Sequence, residues 1–227
     1  MTATYVVTGA GSGIGALVAA GLRDRGGRLV LAVRSAERAD ELRPDFPEAE
    51  LVVADLADTA SVPAVAAAAG ERVHGVVHAA GVVTLGSVAE LDEEAWRSQL
   101  DVNLIAPALL TRALLPALRA ARGTVVLVNS GAGLVAHPTW AAYAASKHGL
   151  KALADSLRAE EAESGVRVTS VYPGRTATAM QEQVHAQEGK SYDASAWIRP
   201  ETVSAAILGV LDLGHDATVP DLTIKPR

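Results

Sequence analysis

The chain has 227 residues, 49% of them hydrophobic and 20% charged, with a formal net charge of −6. That length suits one sizeable core, and the acidic balance gives no electrostatic footprint for nucleic acid or an anionic membrane. With no cysteine, and six histidines that show no His-Glu-x-x-His or similar spacing, disulfides, thiol chemistry and a metal are not expected.

No apolar run reaches the ~18 uninterrupted residues a membrane span needs, and the N-terminus lacks a basic region followed by an apolar core. The reading is one cytoplasmic domain over residues 1–227, with no membrane or nucleic-acid partner. Tyr5 to Val7 is a short apolar, β-favouring run, followed by glycines at 9, 11, 13 and 15 and then by helical spacing to Leu22. Strand, glycine turn and helix form the context of a dinucleotide fingerprint, because a pyrophosphate needs bare backbone N–H groups at a helix N-terminus. Leu17 to Arg25 continues that helix and Gly26-Gly27 stops it. Leu29 to Val33 is a second strand. The acid that usually holds a ribose hydroxyl about 20 residues beyond the turn is missing, and Arg34 follows Val33 instead. An arginine there suits a 2′-phosphate, and Arg38 could equally make that contact.

Glu50 to Ala54 reads as a third strand, followed by Asp55-Leu56; Asp55 is either an acceptor for the adenine amino group or a local cap. Asp58, Thr59 and Ser61 are better placed to cap the alanine-rich helix that runs to Ala69. Val73 to His78 is a fourth strand, and Ala79-Ala80-Gly81 would let backbone lie flat against a cofactor. His78 reads as a strand-end histidine with a local partner. Helical spacing runs from Glu93 to Ala121 with Pro107 and Pro116 inside it, and Pro107 frees the Asn103 carbonyl. A kink is expected there. Thr124 to Val128 is a fifth strand ending in Asn129-Ser130-Gly131. A long helix from Thr139 to Ser164 carries Tyr143 and Lys147, which are four apart and so share a face. Arg167 to Val171 is a sixth strand ended by Pro173-Gly174. Thr176 to Trp197 is irregular or weakly helical, Pro200 to Leu213 a helix, and Thr218 to Ile224 a closing edge strand. Alternating strands and helices predict a parallel sheet covered on both faces.

Thr8-Gly9-x-x-x-Gly13-Ile14-Gly15, Asp55, Ala80-Gly81, Asn103, Ser130, Tyr143-x-x-x-Lys147 and Pro173-Gly174-x-x-x-Thr178 together resemble the short-chain dehydrogenase/reductase family, in its compact single-domain branch. The matches span nearly the whole chain in the family's order, and the spacings from Asn103 to Ser130 and from Ser130 to Tyr143 agree with it. Two features depart: His78-Ala79 stands where the family commonly has Asn-Asn, and the chain is short for the family. The resemblance implies a three-layer, doubly wound Rossmann-type α/β fold with about seven parallel strands and the cofactor across their carboxyl ends.

It also implies a catalytic set of Asn103, Ser130, Tyr143 and Lys147. Gly9, Ser12, Gly13, Ile14, Gly15, Arg34, Asp55, Leu56, Ala80, Gly81, Pro173, Gly174, Thr176 and Thr178 would hold the cofactor, joined by Tyr143 and Lys147. A free phenol titrates near ~10, so Tyr143 needs the Lys147 ammonium to favour its phenolate. Ser130 would polarise the substrate oxygen, and Asn103 would hold a water that joins the lysine to solvent. The expected reaction is hydride transfer between nicotinamide and a ketone or secondary alcohol, with NADP(H) preferred and NAD(H) possible. The alternative is a catalytically silent, nucleotide-binding redox regulator of the same fold.

The substrate pocket is expected between the loop after Ser130 (Leu134, Val135, His137, Trp140) and a mobile lid over 175–198 (Met180, Val184, His185, Trp197). These mostly apolar walls suit a small-to-medium hydrophobic ketone or alcohol, with Arg175 the one candidate anion fork. Leu150, Leu153 and Leu157, together with the apolar run from Leu109 to Leu118, predict a homodimer and possibly a homotetramer.

Overall fold

The computed structural model describes residues 2–227. Seven strands, all parallel, form one sheet in the order β3-β2-β1-β4-β5-β6-β7. They are β1 (Thr4–Thr8), β2 (Arg28–Val33), β3 (Glu50–Val53), β4 (Gly75–His78), β5 (Thr124–Val128), β6 (Arg167–Pro173) and β7 (Asp221–Ile224). The pattern of alternating elements predicted the parallel sheet, and the family resemblance implied this doubly wound Rossmann-type architecture. Strand order reverses between β1 and β4, whose register pairs Val6 with Val76 and Thr8 with His78. The crevice at the carboxyl ends of those two strands is where such a sheet binds its ligand.

The period of two along each strand sends neighbours to opposite faces. Val6, Val30, Val76, Val125 and Val168 pack under helices α3 (Val62–Ala69), α5 (Ala106–Ala121) and α6 (Ala141–Glu160). Val7, Leu31, Val77, Val126 and Val171 pack under α1 (Gly13–Asp24), α2 (Ala36–Leu42) and α8 (Pro200–Leu211). Burying apolar side chains on both faces explains why these strands read as continuous apolar runs.

Four elements differ from expectation. Helix α2 was not anticipated; Ser35 caps it, its hydroxyl accepting from the Arg38 N–H at 3.3 Å. The long helical stretch divides into α4 (Glu93–Leu100) and α5, joined by a π turn over Asp101–Ile105. There the Ala106 N–H reaches back five residues to the Asp101 carbonyl, and Pro107 falls in the first turn of α5, where no N–H is needed. The kink expected at Asn103 is therefore a change of helical register. Helix α6 starts later than expected, after Thr139 takes a left-handed φ of 66°. The segment after β6 contains α7 (Ala179–Gln187), capped by the Thr178 hydroxyl.

By length and composition alone, Glu93–Ala121 could cross a membrane. Its Leu110, Leu114 and Leu118 are instead packed against the sheet. Leu150 and Leu157 are likewise committed to this chain's own core, so the apolar surplus expected for a partner is smaller than the sequence implied. Leu109, Leu115 and Leu153 remain partly buried and Ile105 exposed.

Candidate active site

A cleft of about 1480 Å³ runs along the carboxyl edge of the sheet. At its nucleotide end the turn after β1 is made of backbone in close approach. Gly9 takes a φ of 69°, and a Cβ there would lie 2.6 Å from the Ala80 nitrogen. A Cβ on Gly15 would meet the Gly9 carbonyl at 2.3 Å. Side chains are therefore excluded from both positions, which is what the glycine spacing predicted. The Ala80 N–H donates to the Thr8 hydroxyl at 3.2 Å, fixing the loop after β4 to the loop after β1. Helix α1 opens at Gly13 with no acidic residue in its first turn, and the Ser12 side chain does not cap it. Such an end attracts an anion. Thr178 Cγ2 sits within 3.3 Å of where a Gly13 Cβ would be, so the segment after β6 reaches over the turn.

Ser12, Gly13, Ile14, Arg34, Asp55, Leu56, Ala80, Gly81, Pro173, Gly174, Thr176 and Thr178 all line this cleft, together with Gly9. Gly15 lies one residue behind the lining and acts through its close approach to Gly9. Val33 is buried and Arg34 exposed at the end of β2. Asp55 accepts from the Ala57 N–H at 3.0 Å, the local role, while also lining the cleft. Thr176 donates to the Gly174 carbonyl at 3.0 Å and pairs as a bridge with Ile198. Bare backbone, an uncapped helix start and a long cleft together fit a dinucleotide.

The other end of the cleft gathers Ser130, Tyr143 and Lys147. Tyr143 and Lys147 lie one turn apart on α6, with the Lys147 Nζ 5.8 Å from the centre of the tyrosine ring. Both are buried. Burial raises the Tyr143 phenol above its ordinary value, and the Ser130 hydroxyl works against that shift. Burial also pushes the Lys147 ammonium down to about 8. Its Nζ donates to the Val128 carbonyl at 3.0 Å. The Ser130 hydroxyl accepts from the Ala132 N–H at 3.1 Å.

Asn103 is fully buried and its side chain is entirely engaged. It accepts from the Val82 N–H and donates to the Val82 carbonyl, each at 2.9 Å, and donates to the Ser146 hydroxyl at 3.0 Å. It thus joins the π turn, the loop after β4 and α6. Two positioning residues escaped the sequence reading. Asn129 donates to the Lys147 carbonyl at 3.1 Å and accepts from the Ser130 N–H at 2.9 Å, tying the two reactive segments together. Gln187 accepts from the Leu85 N–H at 2.7 Å, tying α7 to the opposite wall. Both required knowing which distant backbone each side chain would meet.

Val83, Ala132, Tyr143 and Val184 form an apolar nest, with Leu85, Trp140 and Met180 packed against it. Trp140 stands edge-on to Tyr143 with ring centres 5.7 Å apart. Trp140, His137, Met180 and Val184 line the cleft as expected. The expectation for Val135 and its neighbour Leu134 needs correction: they are 57% and 43% exposed and lie outside the lining, because the loop turns them to solvent. His185 and Trp197 also lie outside the lining and pack on each other at 5.3 Å. Arg175 is no free anion fork, since Glu188 accepts from it at 2.6 and 3.0 Å. His78 donates or accepts at 2.9 Å with the Thr111 hydroxyl, the local partner expected.

A family model described as short chain dehydrogenase matches residues 3–189. Dehydrogenase/reductase SDR family member 7B from Bos taurus is 33% identical over 207 residues, covering 84% of this chain and 63% of that protein. The chain thus spans less than two thirds of the bovine relative's length. The uncharacterised short-chain type dehydrogenase/reductase y4eK from Sinorhizobium fredii is 31% identical over 226 residues, covering 97% of this chain and 90% of that one. A metagenomic short-chain oxidoreductase, solved in complex with NADP, superposes with a TM-score of 0.83 at 30% identity, covering 99% of this chain and 97% of that one. The glycine turn, the paired Tyr143 and Lys147 and this likeness along the whole sheet lead to one conclusion: the chain belongs to the short-chain dehydrogenase/reductase family of oxidoreductases.

Proposed function

We propose that this chain is an NADP(H)-dependent ketone reductase or alcohol dehydrogenase, with Tyr143 as its general acid and base. The observation that carries the reading is the gathering of buried Tyr143 and Lys147 with half-buried Ser130 at one end of a cleft whose other end is a bare glycine turn. When bound, nicotinamide supplies or accepts the hydride. The chain must then hold the carbonyl and move one proton. Ser130 presents its hydroxyl to the substrate oxygen, and Tyr143 gives up its phenolic proton to that oxygen. Lys147, charged and one turn away, favours the phenolate left behind. Asn103 positions the backbone around Lys147, and its own carbonyl, to which Pro107 has no N–H to donate, is the proposed place for a water that returns the proton.

Preference for NADP(H) is supported by Val33 where an acid would repel a 2′-phosphate, and by Arg34 and Arg38 lining that end of the cleft. A related structure holds NADP. The substrate reading is a small-to-medium apolar ketone or secondary alcohol, supported by the nest of Val83, Leu85, Trp140, Met180 and Val184. The segment 175–198 serves as the lid, and a homodimer is the proposed assembly. A screen of NADPH consumption against a panel of ketones tests the reading. Turnover of apolar ketones ahead of charged ones is expected, and no turnover across the panel in either direction would refute it.

A further inference from the structure

The nucleotide end of the cleft is not a simple basic pocket. Arg34 and Arg38 line it, but so do Glu37 and Glu41, and the four charges cancel. The two arginines are also held differently. Arg34 is exposed and forms no ion pair among the described residues. Arg38 lies across the glycine turn: a Cβ on Gly11 would come 2.6 Å from its Nε, so the missing side chain at Gly11 makes its seat. From that seat its Nη1 donates to the Glu41 carboxylate, one turn later on α2.

We propose that Glu41 sets this chain's discrimination between NADP(H) and NAD(H), by competing with the 2′-phosphate for the Arg38 guanidinium. The inference rests on the proposed cofactor reading and deepens it. A guanidinium engages one oxyanion pair well at a time, and its planar fork suits phosphate and carboxylate alike. Glu41 offers a single negative charge, whereas a phosphate monoester carries about −1.5 to −2 at neutral pH. The pair is half open to water, with side-chain exposures of 40% and 61%, so it can be broken at small cost. A 2′-hydroxyl is neutral and has no claim on Arg38. Glu41 therefore weakens the phosphorylated cofactor while leaving the other untouched.

Affinities of NADPH and NADH for the full-length chain, read by nucleotide fluorescence, test this in the wild type, Glu41→Gln, Arg38→Ala and the double variant. Glu41→Gln should shift the NADPH-to-NADH affinity ratio toward NADPH by about two- to fivefold, the scale of an exposed ion pair. In the Arg38→Ala background the same change should shift the ratio hardly at all. An unchanged ratio in Glu41→Gln, or an equal shift without Arg38, would overturn the proposal. Thermal midpoints of the variants confirm that each is folded. A wild type that binds NADPH no tighter than NADH would defeat the cofactor reading alone, because the shift in ratio remains measurable.

Discussion

The Lys147 ammonium donates to the Val128 carbonyl at 3.0 Å, where β5 leaves the sheet. That bond fixes the charge beside Tyr143, but it does not replace the water lost on burial. The ammonium falls from 10.5 to about 8 as a result. A lysine whose folded value is lowered destabilises the fold below that value, and the penalty fades as pH rises from about 8 to 10.5. Lys147→Met should therefore cost at least ~10²-fold in turnover. It should also raise stability at pH 7 by roughly 1–2 kcal/mol, the desolvation relief less the unpaired Val128 carbonyl. The gain should shrink at pH 10. Urea unfolding at the two pH values measures it, and an equal gain at both would show that charge burial is not the cause.

Tyr143→Phe removes only the phenolic oxygen from a ring that packs against Trp140 and Met180. Turnover should drop by at least ~10²-fold, the usual scale of a positioned acid. The apolar contacts remain, so the thermal midpoint should hardly move. Near-normal turnover in that folded variant would end the proposed role for Tyr143.

His78 is buried at the end of β4 with Thr111 as its partner, and burial pushes it from 6.5 down to about 3. The folded state therefore stays neutral where the unfolded state takes up a proton. Stability from this group is fully present above pH 6.5 and is lost as pH falls toward 3, by up to roughly 4 kcal/mol. His78→Gln, which can keep a nitrogen near Thr111, should lose less stability between pH 6.5 and 4 than the wild type. Parallel acid-unfolding curves for the two proteins would contradict this.

Arg34 is exposed at the mouth of the nucleotide end, so its contribution is screened by solvent. Arg34→Ala should weaken NADPH binding by about 1–1.5 kcal/mol, the lower edge of a charge-assisted bond. NADH binding should stay unchanged. Equal losses for both cofactors would assign Arg34 a purely structural role.

The proposed association rests on apolar surface that the sheet does not cover. Leu109, Leu115 and Leu153 are only partly buried, and Ile105 is 39% exposed. A homodimer at micromolar concentration is expected by light scattering, with Ile105→Lys shifting it toward monomer. A wild-type monomer at that concentration would dispose of the assembly proposed here.

The sequence by itself determined the elements whose signal is local. Alternate glycines after an apolar strand specify a turn without side chains, and positions four apart place Tyr143 and Lys147 on one face of a helix. Pro107 announces a break in its helix, because the missing N–H acts within one turn. Only the tertiary structure decided what each side chain meets. The sequence could not say that Glu188 would occupy Arg175 or that Asn103 would spend its amide on Val82 and Ser146. Nor could it turn Val135 to solvent or seat Arg38 over Gly11. Helical and strand periods are properties of a few consecutive residues. Partners come from segments tens of residues apart, and only the packed sheet brings those together.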